Sequence, residues 1–363
     1  MATLFFSGFE THDFSEWDST GGTPTIETTI VNNGRASYKN DDSSDALVFA
    51  SGAVRTTFAW RGYFYIETNA ALDLSTLKNL VTFRDSSSVA RARLRINATE
   101  KLNWIADGQE NGSTSVPTDQ WFRVDIVHDD GAGTTKIYLD GVLEIDGVET
   151  SGTIEEFQLQ SGITAEAEVD ALYYDDIRWD DVATLIGAGG TFALIPDANG
   201  ADAWDTGGFG DIDDWLTGVH DGDTTEALVT AAGGAATDGV QAPAAVGIFS
   251  DGSIGAAKFI GVLKRGGGGA SNQEIRARDH TPSNSDSGDL VMTQTYAYYT
   301  FDSPFSLPSV ANLGSWEIGV VTAGTRNIEA TAMAIMVDAD PGTPPPDFGM
   351  FQRRTYPNVL LRM

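Results

Sequence analysis

The chain of 363 residues contains no cysteine. Disulfides, thiol catalysis and Cys-ligated zinc are therefore excluded together. Histidine is nearly as scarce, with His12, His128, His220 and His280 too scattered to form a clustered metal motif. Positive charge is also in short supply: 22 Lys and Arg stand against 52 Asp and Glu, a formal net charge of −30. A surface that negative repels phosphate backbones and anionic membranes, so neither nucleic-acid binding nor membrane docking is expected. No apolar run approaches the roughly 20 residues that a membrane span requires. The start, Met1-Ala-Thr-Leu-Phe-Phe-Ser-Gly, has no basic segment, so no secretory signal is read there.

Glycine is plentiful, and its 40 residues recur with Ser, Thr, Asp and Asn between short segments of period two. In Arg91-Ala92-Arg93-Leu94-Arg95-Ile96 three arginines face one way and three apolar residues the other, the spacing of a half-buried strand. Trp121–Val127 and Lys136–Leu139 read as consecutive strands around the turn Asp129-Asp130-Gly131-Ala132-Gly133. Tyr63–Glu67, Val142–Ile145 and Ala171–Trp179 are further strands, and no amphipathic helix is found in the first 183 residues. The expected fold is all-β, as two antiparallel β-sandwich (jelly-roll) domains with a short C-terminal arm.

The expected division is a first sandwich over 1–183, a linker over 184–191, where Gly-Ala-Gly-Gly breaks the pattern, and a second sandwich over 192–342. Residues 343–363 form a Pro-rich spacer and tail. Strands of the second unit include 258–263, 273–278, 316–321 and the long run Ile328–Val337, unusual in its Ala and Met. The tail reverses the sign of the chain, with Arg353, Arg354 and Arg362 against Asp347, and reads as an anchoring arm.

In the first unit, Leu4-Phe5-Phe6-Ser7-Gly8-Phe9-Glu10 and Asp13-Phe14-Ser15-Glu16-Trp17 open the chain segment. Trp121–Ile126 and Ile137–Val142 follow, and Tyr174-Asp175-Asp176-Ile177 closes it. In that order they resemble the concanavalin A-like jelly roll of the laminin-G and lectin/glucanase kind. The resemblance implies that the first and last strands lie side by side. In the second unit, Trp215–Val219, Asp221–Thr225, Tyr296, Tyr299, Phe301, Pro304-Phe305 and Trp316 are similar in order to jelly-roll-like domains of tailed-bacteriophage structural proteins. That likeness implies a non-enzymatic virion component, a capsid decoration or tail appendage on the particle surface, made in the host bacterial cytoplasm. Its partners would be other virion proteins and copies of itself, with cell-surface glycans as a further binding partner.

Glu144-Ile145-Asp146-Gly147-Val148-Glu149 matches the Glu-x-Asp-x-x-Glu pattern of retaining glucanases with this resemblance, which need two carboxyls about 5–5.5 Å apart. Gly147 interrupts it, and no Trp or Tyr lies between Tyr138 and Tyr173, so catalysis is not expected. If the first and last strands pair, Glu10, Asp175 and Asp176 become neighbours, and hard oxygen ligands on adjacent strands suit a structural Ca²⁺. Trp121 and Trp179, set in apolar alternation, are expected in the core. Trp17 and Trp104, near turn-like segments, are the candidates for an exposed sugar-stacking surface.

Overall fold

The computed structural model describes residues 3–11, 13–34, 36–40, 44–67, 78–147, 152–159, 172–194, 196–199, 227–229, 235–240, 253–266, 272–278, 284–302, 316–323 and 328–340. Every paired strand among them is antiparallel, and they contain no helix. The fold is all-β.

The described residues form four sheets. Sheet I runs β13 (Val142–Gly147), β12 (Thr134–Leu139), β11 (Trp121–Asp129), β6 (Thr57–Ile66), β15 (Leu172–Asp180), β4 (Ser37–Asn40) and β3 (Thr25–Glu27), with β1 (Thr3–Ser7) also on β15. Sheet II runs β10 (Gln109–Ser115), β9 (Lys101–Ile105), β8 (Ala90–Ile96), β7 (Lys78–Arg84), β14 (Ile154–Leu159), β5 (Ala46–Arg55) and β2 (Ser19–Gly21). Sheet III is β16 (Gly190–Leu194), β25 (Ile328–Asp340), β20 (Ser253–Arg265) and β23 (Ala297–Asp302), with β18 (Ala227–Val229) on β25. Sheet IV is β17 (Pro196–Asn199), β19 (Ala235–Val240), β24 (Glu317–Ala323), β21 (Asn272–Arg278) and β22 (Asn284–Asp286).

Sheets I and II close over one core. Alternate residues point inward, including Phe58, Trp60 and Phe64 of β6, Phe122, Val124 and Ile126 of β11, and Leu94 and Ile96 of β8. The rings interlock edge to face, as in Phe157–Trp179 at 5.4 Å and 87°. The first and last strands do pair: Phe5 faces Trp179, and Ser7 faces Ile177. β1 and β4 share one edge of β15, β4 along 172–174 and β1 along 177–180. Between them the strand is irregular, and Asp176 takes φ 50°. An extra residue at such a bulge bends the strand and turns its side chains out of register.

Sheets III and IV enclose a second core in which Phe259 stacks on Trp316 at 5.4 Å and 3°. The described side chains of the central strands β20 and β25 are buried almost continuously. One side faces this core through Phe259, Met333, Ile335 and Val337. The other side, with Ala256, Ile260, Val262, Ala334 and Met336, packs on Phe6 of β1. Ala334 and Met336 of the long Ala/Met run thus sit where one sandwich lies against the other.

That junction is ionic as well as apolar. Asp338 accepts from Arg61 and, at 2.6 Å, from Arg178, which also forks onto Asp180 at 2.8 and 2.9 Å. Lys258 donates to the Phe6 carbonyl at 2.9 Å and pairs with Glu16. Tyr298 donates to the Thr11 carbonyl at 3.2 Å. All four charged partners of the Arg61–Arg178–Asp180–Asp338 group are buried, the condition under which a pair is costly to break.

Candidate functional site

The outward residues of sheet I form two zones. Toward the C-terminal end of β15, Arg61 and Arg178 are covered by the second sandwich, and Gly189 of the connecting segment donates to the Tyr63 hydroxyl at 3.3 Å. The fit there is close: a Cβ on Gly189 would stand 2.6 Å from Arg61 Nη1 and 3.1 Å from the Ala339 carbonyl oxygen. Toward the other end, the register sets Tyr173, Tyr65 and Trp121 opposite one another on three adjacent strands, with Lys39 of β4 next in the row. The Tyr65 ring lies 5.7 Å from Trp121 at 58° and 5.7 Å from Tyr173 at 85°. Trp121 and Tyr65 are half-buried, whereas Tyr173 is almost fully buried and supports them from the side.

Polar groups surround this row. The Tyr173 hydroxyl donates to Glu67 at 3.0 Å. Burial, reinforced by that carboxylate, keeps the phenol protonated far above its ordinary range. Arg123, two residues along β11, holds Asp125 at 2.7 Å. Burial pushes the Asp125 carboxyl up, and Arg123 opposes that rise. The arrangement offers ring faces bordered by fixed donors and acceptors, which suits a sugar ring better than a reacting bond.

Trp121 therefore departs from the expected core position. It shares the polar side of β11 with Arg123 and Asp125, while Phe122, Val124 and Ile126 point inward. That parity was present in the sequence, and it outweighs the apolar character of the residue itself. Trp17 and Trp104, expected at the surface, are both buried. Trp17 folds back from its turn against Phe5 at 4.8 Å and stacks on Phe9 at 5.8 Å. Trp104 is fully buried, alternates inward with Leu102 on β9 and meets Phe83 at 6.0 Å. Neither offers a face to a glycan, because a large ring beside a turn gains more by closing the end of the sandwich.

Glu10, Asp175 and Asp176 do come together, all buried, at the irregular point of β15. Asp175 accepts from the backbone N–H groups of Asn32 at 2.8 Å, Asn33 at 3.3 Å and Asp176 at 2.8 Å. Asp176 accepts from the Asn32 and Asn33 side-chain amides, both at 2.7 Å, and from Thr191 N at 2.5 Å, the first turn of contact with sheet III. Glu10 reaches Ala36 N at 3.4 Å and presses on Gly34, whose φ of 66° only glycine adopts readily and whose Cβ would lie 1.9 Å from Glu10 Oε1. Burial, then Asp176 and Glu10, push the Asp175 carboxyl well up; burial raises Asp176 to about 6 against the pull of Arg61. The charge suits a hard cation, but a calcium ion would share these carboxylate oxygens with the N–H groups they already serve. Among the described residues no three His, Asp or Glu side chains are arranged as a ready metal cage.

Glu144 lies on the edge strand β13, where it ties sheet I to the edge of sheet II. It accepts from Ser113 N at 2.7 Å, Ser113 Oγ at 2.9 Å, Thr114 N at 2.9 Å and Thr114 Oγ1 at 2.6 Å. Partial burial raises this carboxyl, but the bonds from Thr114 and Ser113 outweigh it and hold it below its ordinary range. Glu149, Arg353, Arg354 and Arg362 lie outside the described residues.

No family model matches the sequence, and no curated protein matches it. Among solved structures the chain is similar to a cellulose-induced protein, with 16% identity over 51% of this chain and 100% of that one and a TM-score of 0.40. It is similar to domain 4 of an extracellular arabinanase from Geobacillus stearothermophilus in complex with arabinotriose, with 16% identity over 50% of this chain and 93% of that one and a TM-score of 0.36. The receptor-binding domain of botulinum neurotoxin type G is a further likeness, at 10% identity over 46% of this chain and 43% of that one, TM-score 0.36.

Proposed function

We propose that the first sandwich is a non-enzymatic glycan-binding module, which takes uncharged sugar chains on the open half of the outer face of sheet I. The observation that carries this reading is the row Tyr173–Tyr65–Trp121, two of whose rings keep part of their surface in solvent beside Glu67 and Lys39. The binding of Glu144 by four donors supports the non-enzymatic part, since a carboxyl held below its ordinary range is a poor general acid. Titration of the full chain with neutral cello-, xylo- and arabino-oligosaccharides, followed by tryptophan fluorescence, tests it. Saturable quenching that Trp121→Ala abolishes is the expected result; no response to any of the three series would end the proposal.

For the chain as a whole we propose a structural part of a tailed-phage particle, displayed on the virion surface in several copies and made in the host cytoplasm. The cysteine-free composition, the buried ionic junction that holds one sandwich against the other, and the basic tail sequence support this reading. Multivalent display would turn weak sugar contacts into firm adhesion. Deleting residues 347–363 should leave the folded part intact and abolish incorporation into particles; normal occupancy would remove the anchoring role. A structural calcium at Glu10, Asp175 and Asp176 belongs to the same proposal, supported by the three buried carboxyls that the irregular point of β15 brings together. Chelation should then lower the melting temperature at pH 8, and an unchanged melting curve would dismiss the ion.

A further inference from the structure

The outer face of sheet II carries the opposite charge to the rest of the protein. Alternation on β8 puts Arg91, Arg93 and Arg95 outward, and β7 and β9 add Arg84 and Lys101 on either side. Arg91 is neutralised by Asp85 at 2.5 Å, and Arg84 stands 3.7 Å from Glu156. Arg93 and Arg95 have no carboxylate within ion-pair distance among the described residues, in a chain with a net charge of −30. Two residues apart on one strand side, they lie about 6.8 Å from each other along the backbone. Partial burial and the neighbouring Arg93 both make the charged form of Arg95 harder to hold.

A second observation comes from groups that have lost water without gaining a partner. Arg84 Nε and Arg95 Nε are buried donors with no acceptor, and the side-chain carbonyls of Asn103 and Gln158 are buried acceptors with no donor. Asn103 is fully buried and Gln158 is 7% exposed. Asn103 stands opposite Arg95 on β9, and Gln158 stands opposite Thr82, itself opposite Arg93. Unsatisfied buried polar atoms are costly, and these four place an under-satisfied polar layer directly beneath the exposed guanidinium groups of this face.

We infer that this face is a second binding site, separate from the aromatic row, for a carboxylated sugar. The guanidinium forks of Arg93 and Arg95 match a carboxylate geometrically, where lysine would act only as a point charge. Exposed Asn111 of β10 lies opposite the buried Asn103, next in the row from Arg95, and its amide meets ring hydroxyls, which a bare inorganic anion does not possess. The strongly negative remainder of the surface repels long polyanions, so a terminal acidic sugar is favoured over an acidic polymer.

Glucuronate is the probe, with glucose and inorganic sulfate as controls, each titrated into the full chain by ligand-observed NMR. Glucuronate should bind and glucose should not. The affinity should fall at least tenfold in Arg93→Gln with Arg95→Gln and fall again in 0.5 M NaCl, while Trp121→Ala leaves it unchanged. Arg93→Lys with Arg95→Lys, which keeps the charge, should still lose most of the binding and checks that folding is not at issue. Sulfate binding as tightly as glucuronate would show a bare anion site and overturn the sugar assignment. Binding unaltered in both double variants would overturn the site. A change of oligomeric state in the glutamine variant would name a second copy of this acidic chain as the occupant, and would equally overturn it.

Discussion

The two outer faces of the first sandwich, one on sheet I and one on sheet II, arise from the same alternation, yet they end in different environments. On sheet I the outward Arg61 and Arg178 are buried by the second sandwich and share Asp338, while the aromatic row beside them stays half open. On sheet II the outward Arg93 and Arg95 remain partly exposed, with no carboxylate partner among the described residues. Outward in a strand is therefore not the same as outward in the protein. An arginine of one face is a structural tie, and an arginine of the other is free to meet a ligand.

The sharpest way to break this contrast is at the ionic junction. Asp338→Ala would leave the buried Arg61 guanidinium without its carboxylate, while Arg178 keeps Asp180, and should cost about 3–5 kcal/mol of stability, read by urea unfolding. Its counterpart on sheet II, Arg91→Ala, removes only the half-exposed partner of Asp85, which keeps its backbone donors at Ser87 and Val89, and should cost several times less. Equal losses would mean that the junction is solvated and that the faces do not differ. The tryptophans give the next largest effect. Trp104→Ala should cost about 3–5 kcal/mol through the cavity it leaves. Trp121→Ala should cost less than about 1 kcal/mol, because its ring is half in solvent, while weakening neutral sugar binding tenfold or more.

A smaller effect tests the carboxylates at the irregular point of β15. Asp175 and Asp176 have folded values raised above the ordinary carboxylate range, so the stability tied to them is fully present below about pH 4. It is lost as pH rises through their folded values, about 6 for Asp176. The melting temperature should thus fall between pH 5 and pH 8, and Asp175→Asn should flatten the fall. A melting temperature that climbs over this interval would show that the cluster carries no strain. The smallest effect is expected at Glu144→Gln, which should leave any polysaccharide unhydrolysed, as in the wild type, and only loosen the β10–β13 edge. Glucan hydrolysis by the wild type that this substitution removes would replace the binding reading with an enzymatic one.

Much of the fold was legible because its signals are local. The alternation in 91–96 and 121–127, and the Asp/Gly turns at 129–133 and 140–141, specify strands and hairpins without reference to anything distant. The pairing of the first and last strands followed from resemblance, and the register bears it out. The tryptophans failed for an instructive reason. Turn-like surroundings suggested exposure for Trp17 and Trp104, but burying a ring outweighs local turn chemistry. For Trp121 the alternation that placed Arg123 and Asp125 outward applied equally to the tryptophan.

The sequence by itself determined that the chain is acidic, cysteine-free and built of short antiparallel strands, because composition and period-two spacing act residue by residue. It also brought Glu10 to Asp175 and Asp176, once the terminal strands were paired. Only the tertiary structure decided which outward residues meet water. Arg61 and Arg178 are covered because Asp338, 160 positions beyond Arg178, returns on β25 to lie between them. The aromatic row exists because three strands far apart in the chain bring Trp121, Tyr65 and Tyr173 into one line. Such contacts depend on register and on the packing of sheet upon sheet, which no local pattern encodes.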